Sequence, residues 1–490
     1  VAPDRTFAIV GAGLAGARAA AALREEGFDG RIVLLGEEPE RPYVRPPLSK
    51  GYLAGRTERK DVYVHAEGFY AEHAIELRTS TPVETIDRAA TEVVLAGGER
   101  LRYDRLLLAT GAAPRSLPVP GGDLDGVLVL RRVEDSDAIR ERIDRGDRIV
   151  VVGGGWIGAE VAATARSRGC EVALVYPTSA PLEHVLGPEV ARAFSDLHAA
   201  HGVELHPGAK VAALEGDGSV GRVRLEDGGA LEADAVVVGI GVVPRVELAE
   251  RAGLPIENGV AVDARLRTSD DRVLAAGDIA AVAHPFFGRR IRVEHWAVAR
   301  EHGPFAARSM LGSDDAYESL PYFFTDQYGA TLEYWGLALE WDEVVLRGDP
   351  AGGRFLAFWL ADGRVLAGAG FDSPGVGDAI QALIRSREQV DRAALADPGT
   401  PLPGSPPEGL PELAPGEGVV VERGEDSVAV ARDAAGRLHA VSAVCTHVGC
   451  IVGWNAEEGT WDCPCHGSRF AIGGEVLHGP AVEPLPPASV

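Results

Sequence analysis

Phe7-Ala-Ile-Val10-Gly11-Ala-Gly13-Leu-Ala-Gly16 is an apolar run that breaks into three glycines spaced G-x-G-x-x-G. An Ala/Arg-rich helical stretch follows to Glu26, then Arg31-Ile-Val-Leu-Leu35, and Gly36-Glu37 puts an acid 26 positions after the first glycine. Strand, glycine turn, helix, strand and acid in this order predict a dinucleotide-binding unit. Gly11 permits the tight turn, Gly13 lets backbone approach a pyrophosphate, and Gly16 lets helix and strand pack closely. The phosphates would sit at the positive helix N-terminus, and Glu37 would accept from a ribose hydroxyl.

The pattern recurs 142 residues further on as Arg148-Ile-Val-Val-Val152, Gly153-Gly-Gly155-Trp-Ile-Gly158, a helix through Arg168, and Glu171-Val-Ala-Leu-Val175. Two such units hold two dinucleotides. The chemically sensible pair is flavin adenine dinucleotide and a nicotinamide nucleotide, since hydride transfer needs both rings at one place. The second strand ends in Tyr176-Pro177-Thr178 instead of an acid, which leaves the ribose-binding group open. Further strand-like runs lead into Thr110-Gly111, Gly241 and Gly277-Asp278. Each can be a buried strand end with a steric need for glycine; for Asp278 the favoured reading is a carboxylate accepting from a ribityl hydroxyl.

At 490 residues the chain has room for three or four domains, and 46% hydrophobic with 25% charged residues is ordinary globular composition. Lys plus Arg is 48 against 73 Asp plus Glu, a net charge of −25, with Lys50, Lys60 and Lys210 the only lysines. A nucleic-acid backbone or anionic membrane would repel such a chain, and a basic protein partner would be steered to it. No apolar run approaches the roughly 18 residues of a membrane span, and no signal-peptide pattern is present, so a soluble cytoplasmic protein is expected.

Residues 317 to 395 alternate strand-like segments, including 344–346 and 354–360, with an amphipathic helix expected over 377–389. Between Ala396 and Gly418, a Pro/Gly-dense stretch reads as a semi-stiff tether. Beyond it, short alternating strands with turn signals predict a small all-β module. From residue 401 onward four Arg, no Lys and twelve acids give −8.

Four of the five cysteines fall in that module. Cys445-Thr-His447-Val-Gly-Cys450 and Cys463-Pro-Cys465-His466-Gly-Ser468 present C-x-H, then 15 residues, then C-x-x-H. A [2Fe–2S] cluster with two thiolates on one iron and two imidazoles on the other needs this donor set from two facing loops. Tetrahedral zinc accepts the same ligand types and stays as the alternative, though six candidate ligands in two such loops suit it less.

The two boxes resemble those of the Rieske proteins, specifically the disulfide-bearing type of cytochrome bc complexes. The resemblance implies Cys445 and Cys463 on one iron, His447 and His466 on the other, and Ser468 donating to a cluster sulfur. Cys450 and Cys465 stand one in each loop, where a bond between them could clamp the loops over the cluster; whether they are bonded or both free thiols stays open at this point. Where the respiratory proteins carry Tyr, this chain has Phe470, so a lower potential is expected.

Residues 1 to about 395 resemble the FAD-dependent NAD(P)H:ferredoxin reductases of oxygenase systems and the related apoptosis-inducing-factor family. The resemblance lies in GAGLAG, Tyr43-Val-Arg45-Pro-Pro-Leu-Ser-Lys50, LLLATG, GGGWIGAE, AAGDIA and Glu294-His-Trp296-Ala-Val-Ala. It implies FAD held by Gly11, Gly13, Gly16, Glu37, Arg45, Lys50, Arg131 and Asp278, with Thr110, Gly111, Gly277, Trp296 and Phe324 in cofactor-lining boxes. Gly153, Gly155, Gly158 and Tyr176 fall to the nicotinamide side, and Glu160 is a further cofactor-binding residue. It further implies a Lys50–Glu160 pair beside the flavin, where a lysine stabilises charge developing on the reduced ring and needs a partner when buried. The alternative is two ordinary surface residues. Tyr176 stands where the family commonly has an acid, so NADH or NADPH preference is open, and Phe324 stands where tryptophans are usual.

No cysteine lies between Tyr43 and Gly55, which argues against disulfide reductase chemistry, and Cys170 reads as a small core residue. Asp196, His198 and His201 have the residue types of a two-His-carboxylate iron site at the wrong spacing.

The expected architecture is α/β: a FAD-binding domain (1–113 and 237–316), an NAD(P)-binding domain (114–236), a small α/β reductase C-terminal domain (317–395), a linker (396–416) and an all-β Rieske domain (417–490). The expected function is electron flow from NAD(P)H through FAD to the fused cluster, then to a separate oxygenase or cytochrome with a basic docking face. The alternatives are a redox-sensing flavoprotein with slow NADH oxidation and an NAD(P)H oxidase or quinone reductase with the cluster as a side branch.

Overall fold

In the computed structural model of the chain, Ile149–Val152 and residues 7–10 of Thr6–Val10 are buried throughout. Strands covered on both faces carry continuous apolar runs instead of alternating ones. Each is the central strand of a five-stranded parallel sheet, and the two sheets share one plan. The first runs Val273–Ala275, Arg105–Leu108, Thr6–Val10, Arg31–Leu35, Ile75–Arg78; the second runs Glu204–Pro207, Val172–Tyr176, Ile149–Val152, Ala235–Val238, Val127–Val129. Val10 is level with Leu35 and Leu108, and Val152 with Val175 and Val238, so the central strand and both its neighbours end within one residue of each other. At that edge the chain leaves the central strand between neighbours reached in opposite directions, where open α/β sheets bind ligands.

The structure describes residues 5–402, 413–423, 426–447, 449–456, 458–465 and 467–488. The chain divides into two units, Val1–Gly329 and Ala330–Val490.

In the first unit the helix Leu14–Glu25 buries its alanine face. The helix Trp296–Leu311 approaches it closely, and a Cβ on Gly303 would fall 2.6 Å from the Ala15 carbonyl oxygen. In the second sheet, the Arg148 N–H and guanidinium both donate to Asp234 (2.8–2.9 Å), joining the entries of two neighbouring strands. Cys170 is a buried free thiol, as expected of a core residue.

In the second unit Ala330–Gly336, Arg364–Phe371, Arg354–Ala361 and Glu343–Asp349 pair antiparallel in that order. The helix Gly377–Ser386 covers one face, with Ile380 against Gly368. It stops three residues short of the expected end because Arg387 turns left-handed (φ 53°). The start of the expected tether is anchored: Arg347 donates to the carbonyls of Pro398 and Thr400, and Leu402 is buried. Residues 403–412 of it lie outside the described residues.

The C-terminal module is all-β. Gly418–Arg423, Asp426–Arg432 and Leu438–Ser442 form one antiparallel sheet; Gly453–Asn455, Thr460–Asp462, Arg469–Ala471 and Val476–His478 form the other. Each cysteine loop leaves one of these sheets at a strand end.

Candidate active site and cluster loops

The two glycine turns have matching shapes. Gly11 (φ 114°) and Gly153 (φ 113°) adopt a backbone that L side chains avoid, and a Cβ there would meet the carbonyl oxygens of Ala109 and Gly239 at 2.1 and 2.3 Å. A Cβ on Gly16 or Gly158 would fall 2.1 or 1.9 Å from the carbonyl of Gly11 or Gly153, so helix and turn touch through bare backbone. Gly13 and Gly155 differ. A Cβ on Gly13 meets nothing within 4 Å, and one on Gly155 meets only a carbonyl oxygen at 3.9 Å. These glycines cap the helices Leu14–Glu25 and Trp156–Ser167, so each helix N-terminus faces an open cradle able to admit a pyrophosphate.

Lys50 and Glu160 come together from distant parts of the chain, Nζ to Oε2 at 2.8 Å. Glu160 is 3% exposed and sits one turn into the helix that follows the second glycine turn. Ser49 Oγ donates to its Oε2 (2.6 Å) and Thr325 Oγ1 to its Oε1 (2.7 Å). Thr164 Oγ1 donates to the Ser49 carbonyl, fastening that helix to the turn Pro46–Ser49. A buried ion pair is tolerated when further hydrogen bonds satisfy the carboxylate, as here.

Aromatic rings enclose the pair. The Lys50 ammonium lies 5.3 Å from the Phe324 ring centre. Trp296 meets Phe324 edge-on, and Trp156 and His295 pack on Phe323 at 4.8 and 4.2 Å. Burial, reinforced by Lys50, pushes the His295 imidazole down to about 3, so it is neutral at physiological pH.

Arg131 and Asp278 pair at 2.9 Å, and Gly111 (φ 69°) lies against the Arg131 guanidinium. Thr110 Oγ1 donates to the Arg245 carbonyl, and Gly277 N–H donates to His302 Nδ1. Arg45 pairs with Glu38 (2.9 Å) and donates to the Arg131 carbonyl. Burial opposes ionisation of Glu38, but Arg45 and the Tyr43 hydroxyl overcome it and hold the carboxyl below its usual range. Glu37 is more exposed and pairs with Arg132 and Arg245. Tyr176 ends its strand as expected, yet its ring is in the core (1% exposed) and its Cβ supports Gly154 from behind.

The two cysteine loops repeat one turn. Cys445 N–H donates to the Cys450 carbonyl and Gly449 N–H to the Cys445 carbonyl (2.7 and 2.8 Å). Cys463 N–H donates to the Ser468 carbonyl and Gly467 N–H to the Cys463 carbonyl (2.7 and 3.1 Å). Gly449 and Gly467 carry the left-handed conformation both turns require (φ 81° and 79°). Cys450 and Cys465 form a disulfide between the loops, which leaves Cys445 and Cys463 as buried thiols. Ser468 is fully buried; its oxygen accepts from Ala481 N–H at 2.9 Å, leaving its hydrogen for donation. His447 is half-buried, and His466 lies outside the described residues. Two thiols not consumed by the disulfide, on twin turns that each carry a histidine in sequence, fit a cluster with mixed sulfur and imidazole ligation.

The sequence matches the family described as pyridine nucleotide-disulphide oxidoreductase over residues 5–303, which is more than half of the chain. The chain belongs to that family. Residues 322–404 match the reductase C-terminal family and 409–488 the Rieske [2Fe-2S] domain. The ferredoxin–NAD(+) reductase component of the anthranilate 1,2-dioxygenase system of Burkholderia cepacia is 41% identical over 80% of this chain and 97% of its own length. Putidaredoxin reductase of Pseudomonas putida is 37% identical over 80% of this chain and 95% of its own. A solved covalent putidaredoxin reductase–putidaredoxin complex superposes with a TM-score of 0.79 at 37% identity, covering 81% of this chain and 97% of that one. The chain is an FAD-dependent oxidoreductase of the ferredoxin–NAD(P)+ reductase type, with FAD, NAD(P)H and a [2Fe–2S] cluster as its cofactors. Among the described residues no helix is long and apolar enough to cross a membrane.

Three partners were not foreseen from sequence. Ser49 had a signal, being adjacent to Lys50, and Thr325 lies in the segment already singled out around Phe324. Glu38 had none, since nothing in sequence separates it from Glu37. Among the described residues Asp196, His198 and His201 do not gather into a group able to hold a metal ion, and where three cysteine sulfurs do gather, at Cys450, Cys463 and Cys465, two of them are joined in the disulfide.

Proposed function

We propose that this oxidoreductase moves electrons from NAD(P)H through FAD to its own Rieske cluster and then to a separate acceptor protein. The observation that carries the reading is the buried Lys50–Glu160 pair on the same chain as the paired cysteine loops. The bound cofactors supply hydride acceptance, conversion from two-electron to one-electron transfer, and one-electron storage. The chain supplies the geometry. The first glycine turn, Glu37, Arg45, Arg131 and Asp278 hold FAD, with Thr110, Gly111, Gly277, Trp296 and Phe324 around it. The second turn, with Gly153, Gly155 and Gly158, holds the nicotinamide nucleotide. Lys50 offers a fixed positive charge where the ring gains negative charge, and Glu160 keeps that charge in place.

The relatives are matched over nearly their whole length by four-fifths of this chain, so the Rieske module is an addition to their plan. One of them is named for reducing a separate putidaredoxin. Here Cys445, His447, Cys463 and His466 would ligate the iron of a built-in acceptor, with residues 396–416 linking it to residues 1–395. Linking raises the acceptor's effective concentration without new contacts. The domain division given above from sequence is retained in this reading. The net charge of −25 steers the module toward a basic face on the final acceptor, and rates should fall as salt rises. The reading places the chain in the cytoplasm, where reduced nicotinamide is regenerated.

Anaerobic stopped-flow with NADH and NADPH, following flavin and cluster bands separately, tests this. Both bands should bleach in sequence, and Lys50→Met should slow the flavin phase about tenfold or more, on the order of 1.4 kcal/mol. A slowing below about threefold, or an oxidised cluster beside a reduced flavin, would refute it.

A further inference from the structure

His198 is a fully buried histidine of the helix Glu183–Ala200. Its Nδ1 lies 3.1 Å from the Tyr328 hydroxyl. Gln327, one residue before Tyr328, donates from Nε2 to Thr325 Oγ1 at 3.2 Å, and Thr325 donates to Glu160 Oε1 at 2.7 Å. The directions follow from valence. A carboxylate only accepts, so the single Thr325 hydrogen goes to Glu160. Thr325 oxygen then accepts from the Gln327 amide, which turns the Gln327 Oε1 away from it. That Oε1 and His198 Nε2 are the two buried polar atoms of this cluster without an aligned partner. Gln327 is also the neighbour that partly restores the basicity His198 loses to burial, which pushes it down to about 4. A neutral imidazole has one N–H. On Nδ1 it leaves Nε2 and Oε1 both as acceptors in a buried site; on Nε2 it offers a donor to the neighbouring Gln327 and lets Tyr328 donate to Nδ1.

We propose that His198 is a positioning residue for the Lys50–Glu160 pair: as the Nε2–H tautomer it completes a one-way donor chain, Tyr328 to His198 to Gln327 to Thr325 to Glu160. The chain starts near the surface, where the exposed His201 ring stacks on Tyr328 at 3.8 Å. It ends on the carboxylate that holds Lys50. Its function is to fix the Gln327 amide and hence the Thr325 hydroxyl, so that Glu160 always meets a donor.

The inference rests on the role proposed above for Lys50 and Glu160, and two measurements separate the two. In 15N-histidine-labelled holoprotein at pH 7, the His198 ring, assigned by its loss in His198→Gln, should be the Nε2–H tautomer. An Nδ1–H tautomer or an imidazolium overturns the donor chain, whatever Lys50 does. His198→Phe should shift the flavin midpoint potential and slow flavin reduction about tenfold with nicotinamide affinity unchanged, because Gln327 is then free to flip. His198→Gln, which returns a donor at the Nε2 position, should stay within about twofold of the parent. Equal rates and potentials for the two variants overturn the positioning role, whereas a silent Lys50→Met removes the function of the pair and leaves the tautomer result standing. Should His198→Phe give no holoprotein, the tautomer in the unaltered chain and the potential of Tyr328→Phe decide, with an unshifted potential counting against.

Discussion

Phe470 differs from a tyrosine by one oxygen atom. Its ring is fully buried in the apolar cluster that contains Cys445, Cys463 and Cys465, beside Trp461. A hydroxyl on that ring adds a donor to the shell of a cluster whose potential responds to hydrogen bonds on its sulfurs. Phe470→Tyr should raise the cluster potential by on the order of 40 mV, the one-electron equivalent of a hydrogen bond of about 1 kcal/mol. Protein-film voltammetry reads this, and an unchanged potential would mean that the ring edge faces away from the cluster. Ser468→Ala should shift it in the opposite sense, because the Ser468 oxygen is already engaged by Ala481 and only its hydrogen is left to give.

At the scale of elements, glycines of one motif should fail in different ways. Gly16 is closed by the Gly11 carbonyl, so Gly16→Ala has to push helix from strand and should lower the stability of the apoprotein by several kcal/mol. Gly13 faces open space, so Gly13→Ala should fold normally and weaken FAD binding, seen in thermal melts and in titration of apoprotein with FAD. Normal flavin affinity in Gly13→Ala would show that no phosphate approaches that cradle. The Arg148–Asp234 link makes a pH prediction. Its hydrogen bonds hold the Asp234 carboxyl down to about 2, against an ordinary 3.8. A depressed carboxylate stabilises the fold fully above its unfolded value and loses that contribution as pH falls through 4 toward 2. Asp234→Asn should therefore cost about 0.5–1 kcal/mol at pH 7, in keeping with a half-exposed pair, and progressively less in acid. Denaturant titrations at neutral and acidic pH check the trend.

At the scale of the molecule, the relatives are matched over nearly their entire length without the Rieske module. A chain ending after Leu402 should thus keep its flavin spectrum and NAD(P)H-driven reduction of a small-molecule acceptor, while losing reduction of one-electron protein acceptors by at least tenfold. The two dinucleotide units and the cysteine loops were legible in the residues alone, because their chemistry depends on local spacing: a glycine turn is made by neighbours in sequence, and so is each ligand loop. Helix ends were less legible, since the left-handed Arg387 has no composition signal. The pairing of Glu38 with Arg45 and Tyr43, the inward-turned ring of Tyr176 and the chain from Tyr328 to Glu160 were not legible at all. These depend on which side chains meet across gaps of up to 165 residues, as Glu160 and Thr325 do. Sequence by itself determined what kinds of groups this protein holds; the tertiary structure alone decided which charges are paired and which protons are pinned, because burial and partner geometry exist only once distant segments have packed.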